Sequence, residues 1–310
     1  MQTNGLFDLQ LMMFLLMGIG FFLRKRGILT PAGKAALTDL IIDLILPCNI
    51  IHSFCVEFNH DILVSGLQIF VVSLVLQLFC AVLASTCYRR VPKHQRMVLQ
   101  YGTVCSNAGF LGNPVAEGLY GPMGLLYASI YLIPQRIVMW SAGVSYFTES
   151  PDRKSVLKKV ITHPCIVAVF VGVVLMLTQV QLPVFLDKAI TSLGGCTTAL
   201  TMLFIGAVLA EAGGSQLLSR ITMIFSAIRL IGIPAVVLAG CLLCRVDPLV
   251  TRVSVVLAAM PAGTTTAILA AKYHGDEAFA TGSVVVTTVL SMALLPAWCW
   301  VLEYLVPFAM

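Results

Sequence analysis

The sequence predicts an all-α integral membrane protein of ten transmembrane helices, arranged as two inverted five-helix repeats in which helices 4 and 9 are broken. Three observations carry that reading. The 310 residues are 59% hydrophobic and only 11% charged, against roughly 25% charged in a soluble domain. Apolar runs of about 20 residues, enough to cross a hydrocarbon slab of about 30 Å, recur along the whole chain. Two Gly- and Pro-rich stretches, Ser106 to Pro114 (SNAGFLGNP) and Met260 to Thr266 (MPAGTTT), interrupt such runs at the same relative place in each half.

Taken in order, span 1 covers 6–23 and is followed by Arg24, Lys25 and Arg26. No basic stretch precedes it, so it reads as a helix that stays in the membrane and not as a cleaved signal peptide. Span 2, 35–56, carries Asp39, Asp43 and Leu46-Pro47; span 3 is 62–87. Span 4, 97–116, contains the first break, and span 5, 124–147, carries Arg136 two residues after Pro134. A polar, basic link from Thr148 to Thr162 joins the halves. Spans 6 (163–180), 7 (189–210) and 8 (221–244) follow, then span 9 (249–271) with the second break and span 10 (278–305). The connections leave no room for a second domain. The chain therefore reads as one membrane domain, 1–310, with repeat 1 at 1–148, the link at 149–162 and repeat 2 at 163–310.

Charge sets the orientation. Of the 19 Lys and Arg, the loops after odd-numbered spans hold Arg24, Lys25, Arg26, Lys34, Arg89, Arg90, Lys93, Arg96, Arg153, Lys154, Lys158, Lys159, Arg220 and Lys272. The alternate loops hold only Lys188, Arg245 and Arg252. By the positive-inside rule the first set is cytoplasmic, both termini are extracytoplasmic, and the second half is inverted relative to the first. The net charge of +5 is thus mostly an orientation signal. The basic runs lack interleaved aromatics and sit beside spans, which argues against nucleic acid as a partner. The ten Cys are scattered singly and match no disulfide or zinc spacing apart from Cys241-Leu-Leu-Cys244 inside apolar sequence, so they read as small buried hydrophobes. No metal or cofactor is expected.

The breaks point to a polar cavity. Hydrocarbon offers no hydrogen bonds, so backbone groups freed by Gly and Pro cost several kcal/mol each unless protein, ligand or water meets them. Two breaks in corresponding positions mark a transporter's binding site near the bilayer midplane. Sliding the chain by 154 positions lays Ala108-Gly109 on Ala262-Gly263, Gly121 on Gly275 and Ser129 on Ser283.

Three segments stand out: Gly18-Ile19-Gly20-Phe21-Phe22-Leu23-Arg24-Lys25-Arg26-Gly27 with Leu46-Pro47, then Asn107 to Pro114 with Tyr120-Gly121, then Met260-Pro261-Ala262-Gly263 with Ala271-Lys272-Tyr273. In these the chain resembles the auxin efflux carrier family of membrane transport proteins. The similarity runs over essentially the whole chain. It implies that helices 4 and 9 cross at their breaks at mid-membrane, in an inverted repeat also found in bile-acid sodium symporters. It implies carriage of small organic anions by alternating access. The chain departs from the family pattern at Ala199, where a Pro is usual, and at His163-Pro164, where Asn-Pro is common. With its short central loop it is similar to bacterial members.

Asn107 falls where the family places a substrate-contacting crossover Asn, and its amide can donate to a carboxylate without adding charge to the membrane. Gly109, Asn113 and Pro114 complete the first break, and Asn before Pro favours extended or turn backbone. In the second half Pro261 frees a carbonyl one turn earlier, Gly263 aligns with Gly109, and Thr264, Thr265 and Thr266 supply three hydroxyls just after the kink, which serve their own helix or, at Thr264 or Thr265, face the cavity. Arg136 lies near the bilayer centre, where a cation costs about 2.5–3.5 kcal/mol, so it should face the protein interior. It could bind a carboxylate with two parallel hydrogen bonds or pair with Asp43. Arg229 reads as a residue that snorkels toward the cytoplasm. Asp43, as a buried carboxylate, and Glu117 are the candidates for ion coupling. The binding partners expected are the bilayer, a small organic anion and a second copy of the chain.

No phosphate-cradling loop or His-Glu-x-x-His motif is present in the sequence. Asp39 and Asp43 have the spacing of a magnesium-binding pair, but no second acidic cluster faces them from another span, which disfavours an intramembrane enzyme. A channel or sensor on a carrier scaffold is the remaining alternative. The expected location is the cytoplasmic membrane.

Overall fold

The computed structural model describes residues 3–56, 59–143, 145–147, 158, 161–211, 219–273 and 275–307. Most of the link at 149–162, including Arg153, Lys154 and Lys159, lies outside them. Among the described residues the regular structure is helical, apart from one isolated β-bridge. The helices are α1 (Thr3–Lys25), α2 (Pro31–Ser53), α3 (His60–Cys87), α4 (Lys93–Val104), α5 (Asn113–Val138), α6 (Pro164–Thr178), α7 (Val184–Ala210), α8 (Arg220–Leu243), α9 (Pro248–Ala258), α10 (Thr265–Lys272) and α11 (Glu277–Leu305). Of these, α2, α3, α7, α8 and α11 are long and apolar enough to cross a membrane, and α6 and α9 are shorter apolar helices. Within α5, Gly121 adopts φ 64° and ψ −157°, which breaks the helix where the sequence predicts a loop between 116 and 124. Only glycine takes that conformation without strain.

Prolines set most of the internal interruptions. Wide π-type turns at Ile41–Ile45, Ala108–Gly112 and Ile228–Gly232 each end two residues before a proline: Pro47, Pro114 and Pro234. A proline ring collides with the carbonyl four residues back and has no N–H to offer it. Adding one residue to the preceding turn relieves the collision, and the N–H before the proline then reaches five residues back, as from Leu46 to Ile41 O and from Ile233 to Ile228 O. The carbonyl that Pro234 leaves unmet, Leu230 O, accepts a 2.8 Å hydrogen bond from Trp298 Nε1.

The chain divides into two compact units. Unit 1 comprises Met1–Leu63, Asn113–Ser129 and Ile161–Glu211. Here α1 lies against α7 with almost nothing between the backbones, because Gly20 faces Leu203 and Gly206 faces Met17. The second half of α2 packs on α6 and α7, where Gly172 accommodates Phe54 and Gly194 accommodates Asn49. Small residues suit this environment, since helices in lipid associate by close packing and not by hydrophobic exclusion.

At one end of unit 1, Glu211 joins three helix ends: it accepts a 2.8 Å hydrogen bond from Arg24 Nε and a second bond from Lys34. Burial acts to raise the Glu211 pKa, but the hydrogen bonds and charges of Lys34 and Arg24 outweigh it and hold the carboxyl below its usual range. A depressed folded-state pKa contributes stability above the unfolded value and loses it as pH falls through the folded one. The unfolding temperature of the purified protein should therefore fall on acidification below the ordinary carboxylate range. In Glu211→Gln that part of the pH dependence should be absent.

Unit 2 comprises Val64–Gly112, Ile130–Val160 and Ala212–Met310. In it α8 packs on α9, α10 on α11, and α4 on both α10 and α11. One core cluster includes Tyr88, Leu99, Phe225, Ala262, Phe279 and Val284. Ala262 belongs to the second break, so that break is built into the core of its unit.

Candidate functional site

The two breaks meet within unit 2. Cys105 ends α4 in extended backbone, and α9 ends at Ala259 and Met260. Between them Ser106 and Ala262 form an antiparallel bridge. Asn107 N–H donates to Pro261 O at 2.8 Å, and Gly263 N–H donates to Cys105 O at 2.9 Å. Each break thus supplies hydrogen-bond partners that the other has lost, which is what a broken helix away from water requires.

Side chains complete the accounting. Ala262 N–H donates to Thr287 Oγ1 at 3.2 Å. Ser106 Oγ donates to Gln135 Oε1 at 2.9 Å while Gln135 Nε2 returns a bond to Ser106 O at 2.8 Å. Tyr101 Oη donates to Thr265 Oγ1 at 3.2 Å. Arg229 is 3% exposed and its Nη1 donates to Ala258 O at 3.0 Å, meeting a carbonyl freed at the end of α9. The expectation that Arg229 snorkels is therefore corrected: a cation at a helix C-terminus complements the dipole and the orphan carbonyls there.

The approach of the two backbones depends on glycine at 263. A Cβ built there would stand 3.1 Å from Cys105 O and 3.3 Å from Ser106 O. Backbone oxygens cannot swing aside, so Gly263→Val should separate the breaks and cost about 1–3 kcal/mol of stability. A lowered unfolding temperature in detergent would register it.

Several polar side chains at or beside the breaks are buried with atoms that have no hydrogen-bond partner among the described residues: Asn107 (Nδ2), Asn113 (Oδ1 and Nδ2), Arg136 (Nη1), Arg229 (Nε) and Thr266 (Oγ1). Asn107 is 3% exposed and Arg136 is 6% exposed. Each stands next in sequence to a member of the doubly bonded Ser106–Gln135 pair, which ties the segment carrying Arg136 to the first break. Both unmet atoms are donors, one on a carboxamide and one on a guanidinium. An anion with two or more oxygens is the chemical complement of such a set.

The other expected residues fall as follows. Gly109 is half-buried inside the π turn, and Pro114 is buried at the second position of α5. Pro261 and Thr264 are buried at the bridge, and Thr265 is occupied by Tyr101. Asn113, at the start of α5 and in unit 1, is fully buried, and neither amide atom has a partner among the described residues. Glu117, one turn later, is half-buried and accepts a 3.0 Å bond from Asn49 Nδ2. Asp43 is exposed on its π turn, which corrects the expectation of a buried carboxylate there. Ser106, Gln135, Thr287 and Tyr101 were not among the individual residues expected at the site. Gln135 carried a legible signal, a carboxamide beside an arginine in an apolar run; the others are hydroxyls that helices absorb routinely.

A family model described as membrane transport protein matches residues 7–299. The chain is also similar to an uncharacterized transporter of Methanocaldococcus jannaschii, 24% identical over 304 residues that cover 95% of this chain and 98% of that one. An uncharacterized transporter of Methanothermobacter thermautotrophicus is 25% identical over 298 residues, covering 92% of this chain and 94% of its own.

Proposed function

Because the chain belongs to the membrane transport protein family, the auxin efflux carrier family that its motifs resemble, we propose that it is a secondary carrier for a small organic anion in the cytoplasmic membrane. The observation that carries this reading is the pair of buried, unmet donors, Asn107 Nδ2 and Arg136 Nη1, set beside two helix breaks that satisfy each other's backbone. A carboxylate supplies acceptors for both and neutralises the guanidinium, whose burial is otherwise costly.

In this reading the ten spans form two inverted five-helix repeats, both termini are extracytoplasmic, and the site opens alternately to the two sides. With the cell interior negative, an exported anion gains about 2.3 kcal/mol per charge per 100 mV, so export runs without a coupled ion, whereas uptake requires one. Purified protein in liposomes preloaded with a mixture of unlabelled mono- and dicarboxylates is expected to accumulate at least one labelled carboxylate by counterflow, without ATP. Absence of counterflow for every carboxylate in the panel, with the protein folded, would refute the reading.

A further inference from the structure

Unit 1 contains a second set of buried polar groups, which begins at Asn113, near the end of the first break. Asn113 is fully buried, and neither its Oδ1 nor its Nδ2 has a partner among the described residues. Glu117 stands four residues later on the same helix, and residues at that spacing share a face with Cβ atoms about 5–6 Å apart. The Glu117 carboxylate is held by Asn49 Nδ2 at 3.0 Å, and Asn49 is 2% exposed. On the other side of Asn49, a Cβ at Gly194 would stand 3.0 Å from Asn49 Cα and 3.3 Å from its Oδ1, so the end of the first segment of α7, Val184–Gly194, lies directly against it. Three residues beyond Gly194, Thr197 is 1% exposed, and its Oγ1 has no partner among the described residues.

We infer that Asn113, Glu117, Asn49 and Thr197 form a binding site for one monovalent inorganic cation of sodium type. The donors on offer are all oxygens: two carboxamide carbonyls, one carboxylate and one hydroxyl, the ligand chemistry of a hard cation. A single carboxylate balances a single positive charge. A divalent ion would leave a net charge in a buried setting, where uncompensated charge is costly. Glu117 is half-buried, while Asn113 and Thr197 are buried in the interior. Asn113 sits immediately after the π turn of the first break, so occupancy here bears on the segment that begins at Asn107. The binding claim stands on these residues alone; its use as a coupling ion rests on the carrier reading.

The test is the unfolding temperature of the purified full-length protein, titrated with NaCl against equal concentrations of choline chloride. Sodium is expected to raise it by a few degrees in a saturable way, and choline is not. The sodium-specific rise should be lost in Glu117→Gln and in Asn113→Leu and weakened in Thr197→Val, and it should persist in Asp43→Asn. Should a variant fold poorly, direct binding of radioactive sodium to the wild-type protein, with competition by unlabelled sodium, decides the matter independently. No sodium-specific shift and no saturable sodium binding would overturn the proposal, as would a shift lost in Asp43→Asn but kept in Glu117→Gln. Sodium binding without any sodium dependence of carboxylate counterflow would leave the site standing and remove only its coupling role.

Discussion

Gly206→Ala should cripple the protein, costing about 3 kcal/mol or more of stability, at the upper end of what overpacking does. The added Cβ would fall inside the van der Waals contact of Met17 O, on the backbone of α1. No rotamer relieves that collision; the helices must part. Gly20 meets Leu203 O in the same way on the opposing helix, so Gly20→Ala should behave alike. The two substitutions should not add, because either one alone separates the α1–α7 pair. Gly18 is the control: it lies on the same helix as Gly20, and a Cβ there would meet nothing within 4 Å. Gly18→Ala should therefore leave the unfolding temperature nearly unchanged or raise it slightly. Thermal unfolding in detergent, with the yield of monodisperse protein, checks all three.

The contrast between those glycines also shows what the sequence could and could not reveal. Gly18 and Gly20 lie two residues apart in one motif, and nothing in their order says which one a neighbouring helix touches. The helical class, the five long apolar helices and both breaks were legible, because composition and Gly/Pro punctuation are local properties of the chain. The reciprocal pairing of Ser106 with Ala262 was legible only as two interruptions at matching places. Its partners, Thr287 and Gln135, lie 25 and 29 residues away along the chain, beyond the reach of any local pattern. Arg229 failed for a related reason. Its depth along α8 suggested a side chain reaching out to water, but the orphan carbonyl of Ala258 holds it inside. Asn113 read as turn chemistry before Pro114, and its complete burial became apparent only from tertiary packing.

The second large effect concerns transport. Arg136→Ala should reduce carboxylate counterflow about 10- to 100-fold, the loss of a hydrogen-bonded charge of about 1.5–3 kcal/mol. Asn107→Ala should reduce it about 3- to 10-fold, as expected for a neutral donor. Arg136→Lys keeps the charge but not the planar fork and should fall between wild type and alanine. Because neither side chain's unmet donor has a partner among the described residues, removing it takes away no protein hydrogen bond there, and both variants should fold.

If the paired breaks and these two donors form the substrate site, transport must depend on both side chains. The most direct measurement is counterflow of the labelled carboxylate that the wild-type protein carries, compared in Asn107→Ala and Arg136→Ala proteoliposomes matched for protein content and unfolding temperature. A severe loss is expected in Arg136→Ala and a smaller one in Asn107→Ala. Wild-type rates and wild-type half-saturation in both variants would contradict that assignment.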